Sequence, residues 1–257
     1  MKVIYVNADN LLEIQKVAPN VAMALGYFDG VHLGHQKVIK TAKQKAYQHN
    51  LSLAVLSFFP HPKSILQPDV PVAYLEPVEQ KIEKLENLGV DFFYIVQFTK
   101  ELSQLNPIDF LEQYVKGLNA KEIICGFDYK YGAKSAGTVD TLEAYTHERG
   151  LGFTVVDELK WNKQKISSTL IRQYLSSRKL KEIHQLMGDF YKIKYCKKNG
   201  LLPNYSLPSI GDYKVLIEKD GTLVEHYVTV KSSNQILIHS EYKNLPNELT
   251  IQWVDKI

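Results

Sequence analysis

Cysteine is scarce in this chain. Of 257 residues only Cys125 and Cys196 carry a thiol. Two thiols make no disulfide framework, and neither belongs to a C-x-x-C pair. Cys125 follows Ile123 and Ile124 and reads as a core residue. Long apolar runs are also missing: no stretch approaches the ~20 residues a membrane helix needs. The opening MKVIYV runs straight into a strand pattern, without the apolar region or cleavage site of a signal peptide. Charge of one sign is missing too. There are 31 Lys and Arg against 28 Asp and Glu, a net +3, and the lysines are scattered rather than striped, which argues against nucleic acid. We find no internal repeat and no low-complexity segment. These absences point to a reducing cytoplasm and to a chain bound neither to membrane nor to nucleic acid; a monomer or weak oligomer is expected. What is present is 45% hydrophobic and 23% charged residues, a balance that fits a globular protein with a sizeable core. The length allows one large domain or two unequal ones.

The most informative stretch is Gly26-Tyr27-Phe28-Asp29-Gly30-Val31-His32-Leu33-Gly34-His35. An apolar run (21–25) precedes it and a periodic segment (35–49) follows. A strand, a glycine-bearing turn and a helix start with two histidines make a natural phosphate site, because a helix N-terminus offers free N–H groups and a positive dipole end. His32 and His35 lie three apart and would face the same spot, where imidazole donates hydrogen bonds and, when protonated, adds positive charge. The plainer alternative is a set of turn glycines beside a solvated cap. No third metal ligand sits at a usual spacing, which argues against zinc.

From residue 1 to about 160, strand and helix signals alternate. Strands are predicted at 3–6, 21–25, 51–58, 92–98, 122–126 and 153–156, several as continuous apolar runs suited to burial on both faces. Helices are predicted at roughly 34–49, 76–88, 107–118 and 138–149. Asn106-Pro107 is a cap followed by proline at the first helical position, and Gly89 and Gly150 fall where helices should stop. This alternation predicts an α/β protein with a mostly parallel, doubly wound sheet and ligands at the carboxyl ends of its strands. After Ser167 the pattern changes to two closely joined helices (168–178 and 180–187). Short β-like runs follow at 191–195, 213–218, 227–230, 235–238 and 249–253. Turns are expected at Lys198-Asn199-Gly200 and Lys219-Asp220-Gly221. The expected division is a first domain over 1–187 and a small β module over 188–257.

Three further stretches carry chemistry. Ile166-Ser167-Ser168-Thr169-Leu170-Ile171-Arg172 opens a helix with hydroxyls and an arginine one turn in. That is a plain N-cap, or the grip a polyphosphate tail requires. Gly126-Phe127-Asp128-Tyr129-Lys130-Tyr131-Gly132, continuing to Gly137-Thr138, follows a predicted strand end. Its aromatic faces could hold a flat heterocycle and Asp128 a ring or ribose edge, or it is a surface loop with half-buried tyrosines. Pro60-His61-Pro62, after Phe59, brings His61 toward the same crevice or makes a stiff turn.

In this order the motifs GYFDGVHLGH, FFPHP, Gln97-Phe98-Thr99, GFDYKYGAKSAGTVDTL and ISSTLIR closely resemble the bacterial FAD synthetase family, whose usual form is a bifunctional riboflavin kinase and FMN adenylyltransferase. The match covers 20 to about 190. The resemblance implies the nucleotidyltransferase variant of the Rossmann-like fold, with ATP and FMN as substrates, FAD as product and Mg²⁺ as helper. It implies His32 and His35 on the ATP phosphates, Asp29 close to the reacting phosphates or the metal, and Arg172 with Ser168 and Thr169 on the leaving pyrophosphate. Gly26, Tyr27, Phe28, Gly30, Gly34 and Ser167 would complete the nucleotide site. Phe59, His61, Phe127, Asp128, Tyr129, Tyr131 and Gly132 would line the flavin or adenine pocket.

The chain departs from the family pattern at Tyr27, where asparagine is common, and at Leu170, where arginine is common. Met187-Gly188-Asp189-Phe190 is a loose form of the family's hinge. The family's kinase module is longer and carries a glycine-rich turn followed by Gly-Phe-Pro-Thr-Ala-Asn. In that region this chain has Asn199-Gly200-Leu201-Leu202-Pro203-Asn204-Tyr205-Ser206. Glu225-His226 is either a remnant of a catalytic glutamate segment or an exposed strand charge. The expectation is an FMN adenylyltransferase with a shrunken, kinase-deficient β module. The alternatives are a non-catalytic flavin or nucleotide binder, and a sister nucleotidyltransferase with another phosphate acceptor.

Overall fold

Val21, Ala22, Met23, Ala24 and Leu25 are all buried, as an apolar run covered on both faces demands. They form β2 of a six-stranded sheet in a computed structural model that describes residues 1–201, 205–219, 221–239 and 246–257. The chain divides into two compact units. The first comprises Met1–Phe28, Gly34–Val72 and Glu79–Glu158. Its strands are β1 (Lys2–Val6), β2 (Val21–Leu25), β3 (Ser52–Phe59), β4 (Phe92–Gln97), β5 (Ala120–Gly126) and β6 (Gly152–Val156). They run parallel in the order β1-β4-β3-β2-β5-β6. The helices between them are α1 (Leu11–Val17), α2 (Leu33–Gln48), α3 (Pro62–Leu66), α4 (Val78–Asn87), α5 (Lys100–Ser103), α6 (Pro107–Phe110) and α7 (Val139–Glu148). All six predicted strands are present, shifted by two residues or fewer. The predicted helix 107–118 starts as expected, with Asn106 accepting from the Asp109 N–H and Pro107 at N1, but continues as a π-helix over Leu111–Lys116. α1, α3 and α5 were not foreseen.

The second unit comprises Asp29–Leu33, Ala73–Val78 and Leu159–Ile257. A two-residue hairpin of β7 (Lys160–Trp161) and β8 (Gln164–Lys165) leads into α8 (Ser168–Ser176) and α9 (Leu180–Met187). The ISSTLIR helix therefore follows a hairpin rather than a strand of the parallel sheet. Six antiparallel strands come next: β9 (Tyr191–Cys196), β10 (Gly200–Leu201), β11 (Gly211–Lys219), β12 (Thr222–Ser232), β13 (Gln235–Ile238) and β14 (Glu248–Lys256). Their order is β10-β9-β14-β11-β12-β13, and the two edge strands approach each other in a nearly closed, barrel-like sheet. Lys198-Asn199-Gly200 makes the β9–β10 turn. The expected turn at Lys219-Asp220-Gly221 includes Asp220, which lies outside the described residues, as do Leu202, Pro203 and Asn204 of the comparison above. Ile166, Leu170, Ile171, Leu175 and Ile183 share one core with Tyr191, Val215, Ile217, Ile251 and Trp253. The two helices are thus packed into the same core as the strands. Glu225 is an exposed strand charge that pairs with Lys214 at 2.5 Å and accepts from the Tyr227 hydroxyl at 2.9 Å.

Candidate active site

In the first unit the strand order reverses between β2 and β5, with Leu25 opposite Cys125. Ligands of doubly wound sheets gather at the carboxyl ends of strands beside such a reversal. The chain leaves β2 at Gly26, where a Cβ would meet the Phe28 ring at 2.8 Å, so only glycine lets that ring fold under the turn. Phe28 takes a positive φ of 54°, and its buried ring meets the His35 ring edge-on at 5.3 Å. Gly34 sits in the first turn of α2. The Tyr27 carbonyl accepts from Ser57 Oγ at 2.8 Å and from Lys81 Nζ at 2.9 Å. Both bonds are to backbone, so the side chain that replaces the family's asparagine does not disturb them. The Tyr27 ring instead packs against His61 at 4.4 Å, with the Lys81 ammonium 4.7 Å from its centroid. Lys81 is only 4% exposed and was missed by sequence reasoning. Its signal was a lysine on the buried stripe of α4, one turn before Leu85.

His61 caps α3, its Nδ1 accepting from the Lys63 N–H at 3.0 Å. Beyond β5, Phe127 and Asp128 are exposed. Tyr129 is half-buried and stacks on Tyr131 at 5.7 Å. The Tyr131 hydroxyl bonds Thr141 Oγ1 at 3.1 Å, and the Tyr129 hydroxyl is buried with no hydrogen-bond partner among the described residues. Burial pushes both phenols above their ordinary range. A cleft of about 190 Å³ opens at these strand ends, walled by Phe58, Pro62, Phe98, Phe110, Tyr131 and Gly132 among others. Of the expected pocket residues, Tyr131 and Gly132 line it. Phe59, His61, Phe127, Asp128 and Tyr129 are not among its walls. Neighbouring residues of a strand point to opposite faces, so Phe58 rather than Phe59 turns toward it.

The second unit assembles the other part of the motif. Asp29, 3% exposed, accepts from the Leu75 N–H at 3.1 Å and the Glu76 N–H at 3.2 Å. It forms an ion pair with Arg172 Nη2. Ser168 Oγ donates to the Asp29 carbonyl at 2.9 Å. The N-terminus of α8 therefore lies on the Asp29–Leu33 turn, where His32 is also buried. Arg172 Nη2 donates a second bond to the Ala73 carbonyl at 3.1 Å. Both contacts use one nitrogen, so the Nε–Nη1 edge keeps its donors, the fork that suits an oxyanion. Ser167 caps α8, accepting from the Leu170 N–H at 3.2 Å, and Thr169 sits half-buried in the first turn. Leu170 is buried in the core: its position on α8 faces inward, where an arginine would be stranded. The turn itself is held in unusual backbone, with Gly30 at φ 82° and Val31 at φ 36°; a β-branched residue there is an outlier typical of functional turns.

Among the described residues no three His, Cys, Asp or Glu side chains are grouped to hold a metal. Asp29, the carboxylate the resemblance offers, already serves Arg172 and two backbone donors. Among the described residues, therefore, no set of side chains fits a metal held by the protein.

The first unit is a parallel doubly wound sheet with a glycine turn at its strand-order reversal, and the second holds an arginine-bearing helix start against Asp29; the class is an α/β protein with an appended antiparallel β sheet. The sequence profile of the FAD synthetase family matches residues 14–170. A bifunctional riboflavin kinase/FMN adenylyltransferase of Listeria monocytogenes is 40% identical over 241 residues, covering 86% of this chain and 75% of the relative. An FAD synthetase of the same organism is 30% identical over 207 residues, covering 77% of this chain and 84% of its own. A solved structure described as a macrolide-efflux protein from Streptococcus pneumoniae is 26% identical with a TM-score of 0.86, covering all of both chains. Among the described residues no helix is long and apolar enough to cross a membrane. The chain belongs to the FAD synthetase family.

Proposed function

We propose that the chain transfers AMP from ATP to FMN, releasing pyrophosphate and FAD, and that it does not phosphorylate riboflavin. The observation that carries the reading is the cluster of Asp29, Ser168 and Arg172: one anchored guanidinium with an open donor edge beside a helix N-terminus. An FMN phosphate oxygen attacks the α-phosphorus of ATP. The bond from that phosphorus to the bridging oxygen of the β-phosphate breaks, and its electron pair leaves with pyrophosphate. No protein nucleophile is required, so the protein's work is alignment and neutralisation of charge moving to the leaving group. In this reading Arg172, Ser168, Thr169 and Ser167 take the pyrophosphate end. His32 and His35 contact the ATP phosphates, and the backbone of Gly26, Tyr27, Phe28, Gly30 and Gly34 lets the chain approach them. The flavin or adenine lies against the loop after β5 (Phe127, Asp128, Tyr129, Tyr131, Gly132) and the end of β3 (Phe59, His61). Mg²⁺ belongs to this chemistry as an ion carried by the nucleotide's own phosphates. The transferase module spans residues 1–187, and residues 188–257 are a reduced riboflavin-kinase-like module. The work is that of a cytoplasmic enzyme acting as a monomer or weak oligomer on small molecules.

The test is to incubate the pure chain with ATP, Mg²⁺ and either FMN or riboflavin, and to resolve the flavins by chromatography. FAD from FMN and nothing from riboflavin is expected. Unconverted FMN overturns the transferase reading, and FMN made from riboflavin overturns the loss of kinase.

A further inference from the structure

The segment Ala73–Val78 carries no motif, yet within the second unit it meets both Arg172 and the β strands. Toward the turn, the Leu75 and Glu76 amides donate to Asp29 and the Ala73 carbonyl accepts from Arg172. The Nη2 end of Arg172 is thus held between a carboxylate and a carbonyl that the same segment fixes. Toward the β strands, the Ser206 N–H donates to the Tyr74 carbonyl at 2.8 Å, and Tyr74 pairs with Tyr205 in a parallel bridge. The Tyr191 hydroxyl donates to the Ser206 carbonyl at 2.7 Å. Leu75 is fully buried in the core that α8 shares with the strands, and a Cβ on Gly30 would stand 3.0 Å from its Cδ1. The far end of α8 is held from the same side. Ser209 donates through N and Oγ to the Leu175 and Ser176 carbonyls, at 3.3 and 2.5 Å. Arg178 donates to the Asp212 carbonyl at 3.2 Å and lies over the Tyr213 ring.

We infer that Ala73–Val78 is a positioning strap for Arg172, and that residues 188–257 serve adenylyl transfer by holding this strap and the helix that bears the arginine. The inference rests on the reading of Arg172 as the pyrophosphate grip. An arginine side chain is rich in rotamers, and a guanidinium pinned at one nitrogen enters the reaction with that freedom already removed, so its open edge keeps one direction. Alignment is where such transfer gains most, and small misplacements are costly. The strap meets Arg172 through the Ala73 carbonyl, a backbone atom that no motif marks. The β module thereby has a task that needs no kinase motif.

The test is a double-mutant cycle on the full chain. Leu75→Ala and Tyr191→Phe are each made alone and with Arg172→Ala. Two quantities are read: affinity for inorganic pyrophosphate by titration calorimetry, and kcat for FAD formation against KM for FMN. In the otherwise natural chain, each change is expected to weaken pyrophosphate binding and lower kcat about fivefold with KM for FMN unchanged, and Leu75→Ile to restore both. With Arg172→Ala present, neither change should add a further effect, because both act through that side chain. Additive effects overturn the inference, as do folded variants indistinguishable from the natural chain, or a natural chain that binds no pyrophosphate. If Leu75→Ala does not fold, Tyr191→Phe, which removes one hydroxyl, decides the cycle. If the natural chain binds pyrophosphate but makes no FAD, the proposed function fails while the calorimetric arm still decides the strap.

Discussion

Arg172 and Asp29 depend on each other in opposite ways. The guanidinium needs the carboxylate for direction; the carboxylate, buried and acceptor-only, needs the guanidinium for charge balance. Arg172→Ala is therefore expected to cut FAD formation about a hundredfold or more by removing a donor to the transition state. The same change should lower stability by roughly 2 kcal/mol, less than a fully buried pair would lose, because the arginine is partly solvated. Kinetics and urea denaturation of one preparation check both; full activity with the pair removed would reject the assigned role. His32→Ala should match the kinetic loss. Cys125 makes a separate prediction. Burial, aided by the negative charge of Asp128, pushes its thiol up to about 12. Below that pH the protonated thiol dominates, and the thiolate is the nucleophile. At pH 8 the native chain should therefore be alkylated at Cys196 and spared at Cys125 until denatured. Peptide mapping after brief labelling reads the difference, and rapid labelling of Cys125 would contradict its burial.

At the scale of elements, the turn after β2 and the start of α8 are the pieces on which the proposed site rests. Gly30 combines φ 82° with the Leu75 side chain 3.0 Å from any Cβ, so Gly30→Ala pays both backbone and steric penalties. A loss of more than about 1 kcal/mol in urea denaturation is expected, where an exposed and unstrained glycine would lose nothing. Ser167→Ala removes the cap of α8 and should lower stability by about 1 kcal/mol in the same measurement; an unchanged midpoint would show the cap idle. The parallel strands were legible because each is an apolar run with turn residues at its ends, and α6 because Asn106-Pro107 marks its start. α1 was missed: its N-cap Asn10 makes no side-chain cap bond, the Asn7–Asn10 bonds only fold the turn before it, and the helix is seven residues long. The family was legible in GYFDGVHLGH and ISSTLIR, residue types at fixed spacing. Lys81, Ser57 and the strap were not, because they act through carbonyls and amides that every sequence possesses.

On the scale of the whole molecule, the six antiparallel strands of the second unit form one small sheet that on its own would be near the lower limit for a stable core. Their core is completed by α8 and α9, which sequence reading had assigned to the first domain. Periodicity reveals which face of a helix is buried but not what buries it, and that is why the barrel's dependence on these helices was invisible. The proposed chemistry is a single displacement with no covalent intermediate on the chain. The most direct measurement is exchange of labelled pyrophosphate into ATP by the pure protein with Mg²⁺. The account predicts exchange only when FMN and FAD are present, and a fall of about a hundredfold in Arg172→Ala. Exchange without any flavin, or at the natural rate in that variant, would contradict it.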